Sequence, residues 1–135
     1  MKKEKRILVD FTISILHHGH IRLLKKASKR GKVIVALATD STVLKHKGFL
    51  PELNYKQRKE ILNSIKYVDE IFPSEWIITD KYLKKHKIDF LLHGEDNFNQ
   101  VEKNKLIIVK RTKKISSKNL RKKAHKNYIK LLNKN

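Results

Sequence analysis

One seven-residue stretch, Lys32 to Ala38, limits the folds open to this chain more than any other segment. After its lysine it reads Val-Ile-Val-Ala-Leu-Ala, which is apolar throughout and β-branched in its first half. A strand with one solvated face alternates apolar and polar side chains, whereas a strand covered on both faces is apolar at every position. The stretch therefore predicts a central strand of a parallel sheet with helices on both faces.

Shorter apolar runs alternate with helical patterns along the rest of the chain. Further strands are predicted at 7–9, 67–72, 88–92 and 106–109, and helices from Ile21, over 55–66, over 79–86 and over about 116–133. Residues 40–54 are predicted to be a loop-like connector. This alternation indicates a Rossmann-like, doubly wound α/β fold, with residues 1–135 forming a single domain. The basic C-terminal helix is expected to pack one face on the sheet.

The composition excludes chemistry that depends on cysteine and favours anionic ligands. The chain has no cysteine, which excludes a thiolate nucleophile and cysteine-bound zinc. Its formal net charge is +20, and Lys103 to Asn135 contains thirteen basic residues and no acidic one. Such a field attracts polyanions: nucleic acid, a nucleoside triphosphate or an anionic membrane surface. No apolar run is long enough to span a membrane and no signal-type core follows the N-terminus, so we expect a cytoplasmic location without membrane insertion.

The tetrapeptide His17-His18-Gly19-His20 lies where the first predicted strand gives way to a helix. A helix N-terminus offers free backbone amides to an anion, and Gly19 allows the backbone to approach a nucleotide closely. Two imidazoles three residues apart can donate hydrogen bonds to the oxygens of a reacting phosphorus. The same pair could bind zinc, but no third ligand stands at a suitable spacing. The segment therefore predicts phosphate chemistry.

Ligands of doubly wound sheets bind at the carboxyl ends of the strands. His17, Thr39, His93 and Arg111 each follow a predicted strand, so the fold would bring them to one edge of the sheet. The sequence therefore predicts one site rather than four separate motifs.

In order along the chain, seven segments resemble the small cytidylyltransferases of the nucleotidyltransferase superfamily, which carry the His-x-Gly-His motif. The segments are Leu16-His17-His18-Gly19-His20, Val35-Ala36-Leu37-Ala38-Thr39-Asp40, Lys45-His46-Lys47-Gly48, Tyr55-Lys56-Gln57-Arg58-Lys59, Tyr67-Val68-Asp69-Glu70, Ile88-Asp89-Phe90-Leu91-Leu92-His93-Gly94-Glu95-Asp96 and Arg111-Thr112-Lys113-Lys114-Ile115-Ser116-Ser117. Each is weak alone, but all seven in order are specific. Glycerol-3-phosphate cytidylyltransferase is the nearest type.

The resemblance implies attack of a phosphate monoester on the α-phosphorus of CTP, with release of pyrophosphate. It assigns the catalytic roles to His17, His20, Lys47 and Arg111. The family also implies Mg²⁺ accompanying CTP, held by phosphate oxygens rather than by protein ligands. By the same resemblance the protein is expected to be a homodimer.

The resemblance also implies two groups of binding residues. The nucleotide site would comprise Thr12, Ile13, Gly19, His93, Gly94, Asp96, Thr112, Ile115, Ser116 and Ser117, and Arg58 would support it from the following helix. The acceptor would contact Ser14, Lys45 and Trp76.

The segment separated by two residues from the first histidine departs from the family pattern. Where relatives carry Gly-Thr-Phe-Asp, this chain has Phe11-Thr12-Ile13-Ser14 and so lacks a carboxylate that can contact the acceptor headgroup. With neither this acid nor an aromatic cage evident, glycerol 3-phosphate is the first expectation for the acceptor. Ethanolamine phosphate, choline phosphate and a phosphonate remain alternatives.

Two other functions account for part of the sequence. An adenylyltransferase of the same fold, making FAD or an ADP-sugar, would share the His-x-Gly-His segment, although the Arg111 to Ser117 segment favours cytidine. A non-catalytic nucleic-acid-binding module would explain the charge. It would leave the ordered motifs unexplained, and the chain lacks the surface aromatics used for base stacking, so no specific nucleic acid is expected as a partner.

Overall fold

Five parallel strands form one sheet in the order β3-β2-β1-β4-β5 in the computed structural model, which describes residues 4–134. The strands are β1 (Arg6–Phe11), β2 (Lys32–Ala38), β3 (Glu70–Ser74), β4 (Phe90–Gly94) and β5 (Leu106–Val109). The helices are α1 (His18–Ser28), α2 (Asp40–Lys47), α3 (Tyr55–Asn63), α4 (Asp80–Lys85) and α5 (Ser117–Leu132), with a 3₁₀ turn at Lys103–Lys105. The predicted Rossmann-like α/β fold is confirmed.

The continuous apolar run of β2 serves two cores because successive side chains of a strand point to opposite faces. Val33, Val35 and Leu37 pack with Leu24 and Ala27 of α1 on one face. Ile34 and Ala36 pack on the other face, against residues around α4. The strand lies between β1 and β3, and all its residues from 33 to 38 are buried. Burial on both faces is the reason the run has no polar alternation.

The prediction of a loop-like connector over 40–54 is wrong for its first half, because Asp40–Lys47 forms α2. Thr39 caps this helix by accepting a hydrogen bond from the Thr42 amide, and Gly48 ends it with φ of 81°. Only Thr42 and Val43 are buried, so the helix lacks the apolar stripe by which periodicity is recognised. The capping residues were the available signal.

Several boundaries also differ from the predicted ones. β3 begins three residues later than expected and runs through Pro73, which an edge strand tolerates since one side of its backbone has no partner strand. The helix predicted over 55–66 ends at Asn63, and the strand predicted over 88–92 lies at Phe90–Gly94.

The expectation that the C-terminal helix packs on the sheet is wrong. No residue of α5 is buried, and Tyr128, Leu131 and Leu132 are at least half exposed. An amphipathic pattern does not require burial in the core of the same chain, and the hydrogen bonds of this helix to the rest of the described chain come from Ser117 and Arg121. Between residues 4 and 134, none of the helices combines the length and the hydropathy needed to cross a bilayer.

Gly31 lies between α1 and β2 in close contact with the N-terminal segment. A Cβ added here would lie 2.2 Å from the carbonyl oxygen of Lys5, which already accepts a hydrogen bond from the Lys32 amide. We therefore expect Gly31→Ala to lower the free energy of unfolding by about 2 kcal/mol, since backbone must move to admit the methyl group. Urea denaturation measures this value.

Gly48→Ala is the matched control. It meets nothing within 4 Å and carries only the penalty of its positive φ, about 1 kcal/mol. An equal or smaller loss of stability in Gly31→Ala would contradict the packing argument.

Candidate functional site

A cavity of about 360 Å³ opens at the carboxyl edge of the sheet. Segments that follow all five strands contribute to its walls, as expected for a doubly wound sheet. Its lining includes these residues predicted from the sequence: Thr12, Ile13, Ser14, His17, Gly19, His20, Lys47, Trp76, His93, Gly94, Asp96, Arg111, Thr112, Ile115, Ser116 and Ser117. The fold thus brings sixteen of the eighteen predicted site residues to one place.

His17 and His20 are fixed by hydrogen bonds at the start of α1. His17 caps the helix, its Nδ1 accepting from the Gly19 amide at 3.1 Å, while His20 Nδ1 accepts from the His17 amide at 3.1 Å. The ring centroids are 3.9 Å apart. Because each Nδ1 acts as an acceptor, each neutral ring carries its proton on Nε2. The pair can therefore donate two hydrogen bonds to an anion.

Burial keeps both imidazoles uncharged. Burial first, then the charges of His17 and Arg111, lowers the pKa of His20 to about 4. Burial also lowers the pKa of His17, with smaller contributions from His18 and Arg111. Neutral donors in a cation-lined cavity are suited to a triphosphate, since they bind phosphate oxygens without adding to the repulsion among the cations.

Gly19 is required by the packing of the His17 ring. A Cβ at this position would lie 2.8 Å from His17 Cε1 and 3.3 Å from the Ile115 side chain. The glycine therefore lets the imidazole fold back over the helix start. The sequence predicts that Gly19 allows the backbone to approach a ligand closely. In the structure, the group that lies closest to this position is the ring of His17.

Cations and a helix N-terminus line the same end of the cavity. Arg111 pairs with Asp96 at 2.7 Å, and its side chain passes so close to Gly94 that a Cβ there would lie 2.8 Å from Arg111 Cγ. Ser116 caps α5 by accepting from the Asn119 amide, and Ser117 Oγ donates to the Ile15 carbonyl at 3.0 Å. With Ser116 as the cap, the first amides of α5 are free to bind an anion.

A different lobe of the cavity is aromatic and acidic. The Trp76 ring stacks on His46 with centroids 4.9 Å apart, and Phe98 lies 6.1 Å from Trp76. Glu75 lines this lobe, with one carboxylate oxygen 3.3 Å from the Thr42 hydroxyl. Aromatic faces and carboxylates together favour a cation.

Asp10 adds a second carboxylate at the end of β1. Its Oδ2 accepts from Asn99 at 3.1 Å, whereas its buried Oδ1 has no hydrogen-bond partner among the described residues. His93 Nε2 is 3.4 Å from this oxygen but outside hydrogen-bond geometry. A buried acceptor of this kind is costly unless a ligand satisfies it.

Two predicted site residues, Arg58 and Lys45, do not line the cavity. Arg58 is 1% exposed and does not face the cavity, and from α3 it can support the site only indirectly, which is the role that the resemblance implies for it. Its guanidinium donates instead to the carbonyls of Thr12 and Ala38 and to the Asp40 carboxylate. Lys45 is exposed on α2, and Lys47 lies two residues further, on the cavity side.

Thr39 lies outside the cavity lining, whereas Ser14 belongs to it. Thr39 follows β2 as predicted, but it caps α2 and the neighbouring Ala38 lines the cavity in its place. Ser14 does line the cavity; it is 7% exposed, and its hydroxyl has no partner among residues 4–134.

Sequence reasoning did not assign seven further lining residues that carry charge or an aromatic ring. They are Asp10, Phe11, Lys26, Glu75, Phe98, Lys110 and Lys118. Asp10 directly follows the predicted strand 7–9, which was a usable signal. The three lysines carry no comparable sequence signal, because lysine is common throughout the chain.

This sheet order defines a Rossmann-like domain, with paired imidazoles and a helix N-terminus at the carboxyl edge of its sheet. The chain belongs to the cytidylyltransferase-like family, whose model matches residues 12–130. A crystal structure titled as the lipopolysaccharide core biosynthesis protein from Thermoplasma volcanium GSS1 has the same fold. It superposes with a TM-score of 0.68 at 23% identity, covering 82% of this chain and 99% of that one.

Curated relatives differ in the acceptor or nucleotide that their names give. Glycerol-3-phosphate cytidylyltransferase of Staphylococcus aureus is 37% identical over 120 residues, 84% of this chain and 89% of that protein. A probable choline-phosphate cytidylyltransferase of Schizosaccharomyces pombe is 35% identical over 129 residues, 85% of this chain but 35% of that protein. An FAD synthase of Pyrococcus abyssi is 40% identical over 95 residues, 67% of this chain and 63% of that protein.

The low pKa of His20 makes stability depend on pH. The pKa is 6.5 as the ordinary value and about 4 in the folded protein, so between these values the unfolded chain binds a proton that the folded chain does not. Stability therefore falls as pH falls through this window. We expect His20→Asn to lose less stability over the same interval, as measured by urea denaturation at a series of pH values.

His18→Asn is the control for this comparison, since it removes an exposed imidazole from the same turn. A pH dependence in His20→Asn as steep as in the unaltered protein would show that His20 is not the responsible group.

Proposed function

We propose that this protein transfers CMP from CTP to the phosphate of a small alcohol phosphate and releases pyrophosphate. The observation that carries the proposal is the division of one cavity into two chemically different lobes. Neutral imidazoles, cations and a helix N-terminus form one lobe, which suits a triphosphate. Aromatic rings and carboxylates form the other, which suits the organic part of an acceptor.

The reaction needs positioning and charge stabilisation rather than a covalent enzyme intermediate. An acceptor phosphate oxygen attacks the α-phosphorus, and the bond to the bridging α–β oxygen breaks as pyrophosphate leaves. In this proposal His17 and His20 donate from Nε2 to phosphate oxygens that gain charge. Arg111 and the first amides of α5 hold the β- and γ-phosphates.

Lys47 is proposed to join the two substrates. It ends α2 and lines the cavity, and its Nζ is 5.9 Å from the Trp76 ring centroid, between the two lobes. Burial and the nearby charge of Arg121 lower the pKa of this ammonium group. A flexible point charge in this place can contact the acceptor phosphate and the α-phosphate together, which offsets the repulsion between two anions.

We propose that CTP enters as its Mg²⁺ complex. Within residues 4–134 no three His, Asp or Glu side chains form a group that could hold a metal. Asp96, the carboxylate beside Arg111, is already paired with it. This donor set fits an ion carried by phosphate oxygens, where it would neutralise charge on the triphosphate, and not one bound in a protein cage.

For the acceptor we propose an amino-alcohol phosphate. The expectation of glycerol 3-phosphate rested on the missing headgroup carboxylate at Ser14 and on the lack of an evident aromatic cage. Support for a cationic headgroup comes from the acidic and aromatic lobe, where Trp76 and Phe98 lie near Glu75 and the unpartnered Asp10 oxygen. A polyol would leave these carboxylates without a counter-charge.

Pyrophosphate release tests the proposal directly. CTP and ATP are each combined with Mg²⁺ and with choline phosphate, ethanolamine phosphate or glycerol 3-phosphate. We expect release with CTP and an amino-alcohol phosphate. His17→Ala should lower turnover by about 100-fold or more, because a donor to the transition-state charge is lost.

The other outcomes separate the parts of the proposal. Preference for glycerol 3-phosphate overturns the headgroup assignment and keeps CMP transfer, whereas preference for ATP indicates an adenylyltransferase. If folded protein releases no pyrophosphate in any combination and binds no CTP, the proposed reaction is wrong.

Asp10→Asn tests the headgroup assignment alone. Losing the charge while keeping the shape should lower kcat/KM for the amino-alcohol phosphate by about tenfold, the usual size of one charged hydrogen bond. The measurement is made at saturating CTP, because Asp10 lies 3.4 Å from Nε2 of His93, a predicted nucleotide residue. Glu95→Gln, an exposed acid outside the cavity lining, is the control. If Asp10→Asn lowers kcat/KM equally for glycerol 3-phosphate and for the amino-alcohol phosphate, Asp10 does not act through its charge on the headgroup.

A further inference from the structure

A second cavity, of about 660 Å³, adjoins the first. It lies between the end of α2 and the first half of α5, and we call it the α5 groove. Its lining comprises Lys47, Phe49, Ser117, Lys118, Arg121, Lys122 and His125. Because Lys47, Ser117 and Lys118 line both cavities, the groove is continuous with the phosphate lobe of the site.

The groove carries more positive charge than the protein neutralises. Arg121 is accounted for: it binds both carboxylate oxygens of Glu52 and lies over the Phe49 ring, 4.5 Å from its centroid. Lys47, Lys118 and Lys122 make no salt bridge within the part of the chain that the structure describes. Unpaired cations facing one cavity repel one another, and an anion between them would remove that repulsion.

The cations are arranged as a row rather than a cluster. Lys118 and Lys122 are one turn apart on α5, and Arg121 and His125 form the neighbouring row, also one turn apart. From Ser117 to His125 the helix rises about 12 Å. An elongated row of donors suits a linear anion with several charges better than a single phosphate.

We propose that the α5 groove is a second anion site, which binds a short condensed phosphate such as pyrophosphate or tripolyphosphate beside the CTP site. Nucleic acid fits the groove less well, since its bases require free aromatic faces. The phenyl ring of Phe49 is already covered by Arg121, and among the described lining residues that leaves the imidazole of His125 alone for stacking.

Occupation of the groove would inhibit the enzyme through Lys47. This ammonium group lines both cavities, so an anion in the groove competes with the acceptor phosphate for it. The released pyrophosphate would then slow turnover by raising the KM for the acceptor. This consequence rests on the proposed function, whereas anion binding in the groove does not.

Calorimetric titration with inorganic tripolyphosphate tests the site on protein saturated with CTP, without acceptor and at constant free Mg²⁺. We expect one tripolyphosphate to bind although CTP fills the phosphate lobe. Lys122→Glu should weaken this binding by about tenfold or more, because it reverses a charge that faces the ligand. Lys123→Glu changes the net charge equally at a residue outside the groove lining and should have an effect below about twofold.

Three results would overturn the proposal. Tripolyphosphate does not bind, CTP displaces it completely, or Lys122→Glu and Lys123→Glu weaken its binding equally. If an oligonucleotide binds the groove and tripolyphosphate does not, the ligand class is wrong. If CTP fails to bind, the proposed function fails first. The comparison of Lys122→Glu with Lys123→Glu on the free protein then still reports on the groove.

Discussion

The buried guanidinium of Arg58 is the interaction on which the geometry of the site depends. It reaches from α3 to the carbonyls of Thr12, directly after β1, and Ala38, the last residue of β2. It also donates to the carbonyl of Leu53, just before α3. The Asp40 carboxylate supplies its counter-charge at 2.7 Å and also accepts from the Tyr55 amide. A buried cation is stable only when its donors are all satisfied, so these acceptors are held together as a group.

These hydrogen bonds hold the carboxyl ends of β1 and β2 in a fixed position relative to each other. The loop after β1 turns through Ile13, whose φ is 49°, and delivers His17 as the cap of α1. The segment after β2 begins α2, which ends at Lys47. Two walls of the cavity are thus set by one side chain that does not line it. This explains why Arg58 belongs to the family pattern of the chain without contacting a ligand in the conformation described.

The electrostatics of the cavity follow from which groups burial leaves neutral. His17 and His20 lose their charge because desolvation and neighbouring cations both act against protonation. The carboxylates of Asp10 and Glu75 lie in the other lobe, beside Trp76 and Phe98. One cavity can therefore accept a polyanion at one end and a cation at the other. The α5 groove extends the anion-binding surface beyond it, with Lys47 common to both.

The five strands, the start of α5 at Ser116 and the edge at which the site forms could all be predicted from the sequence alone. These depend on apolar periodicity and on short-range hydrogen bonds such as that from Asn119 to Ser116, which neighbouring residues specify. The structure was needed to show that the end of α2 lines the cavity and that α5 is largely unburied. It was also needed to show that Phe98 lies beside Trp76 and that Asp10 and Glu75 line the same cavity. These outcomes depend on contacts between residues far apart in the chain, which no local pattern encodes.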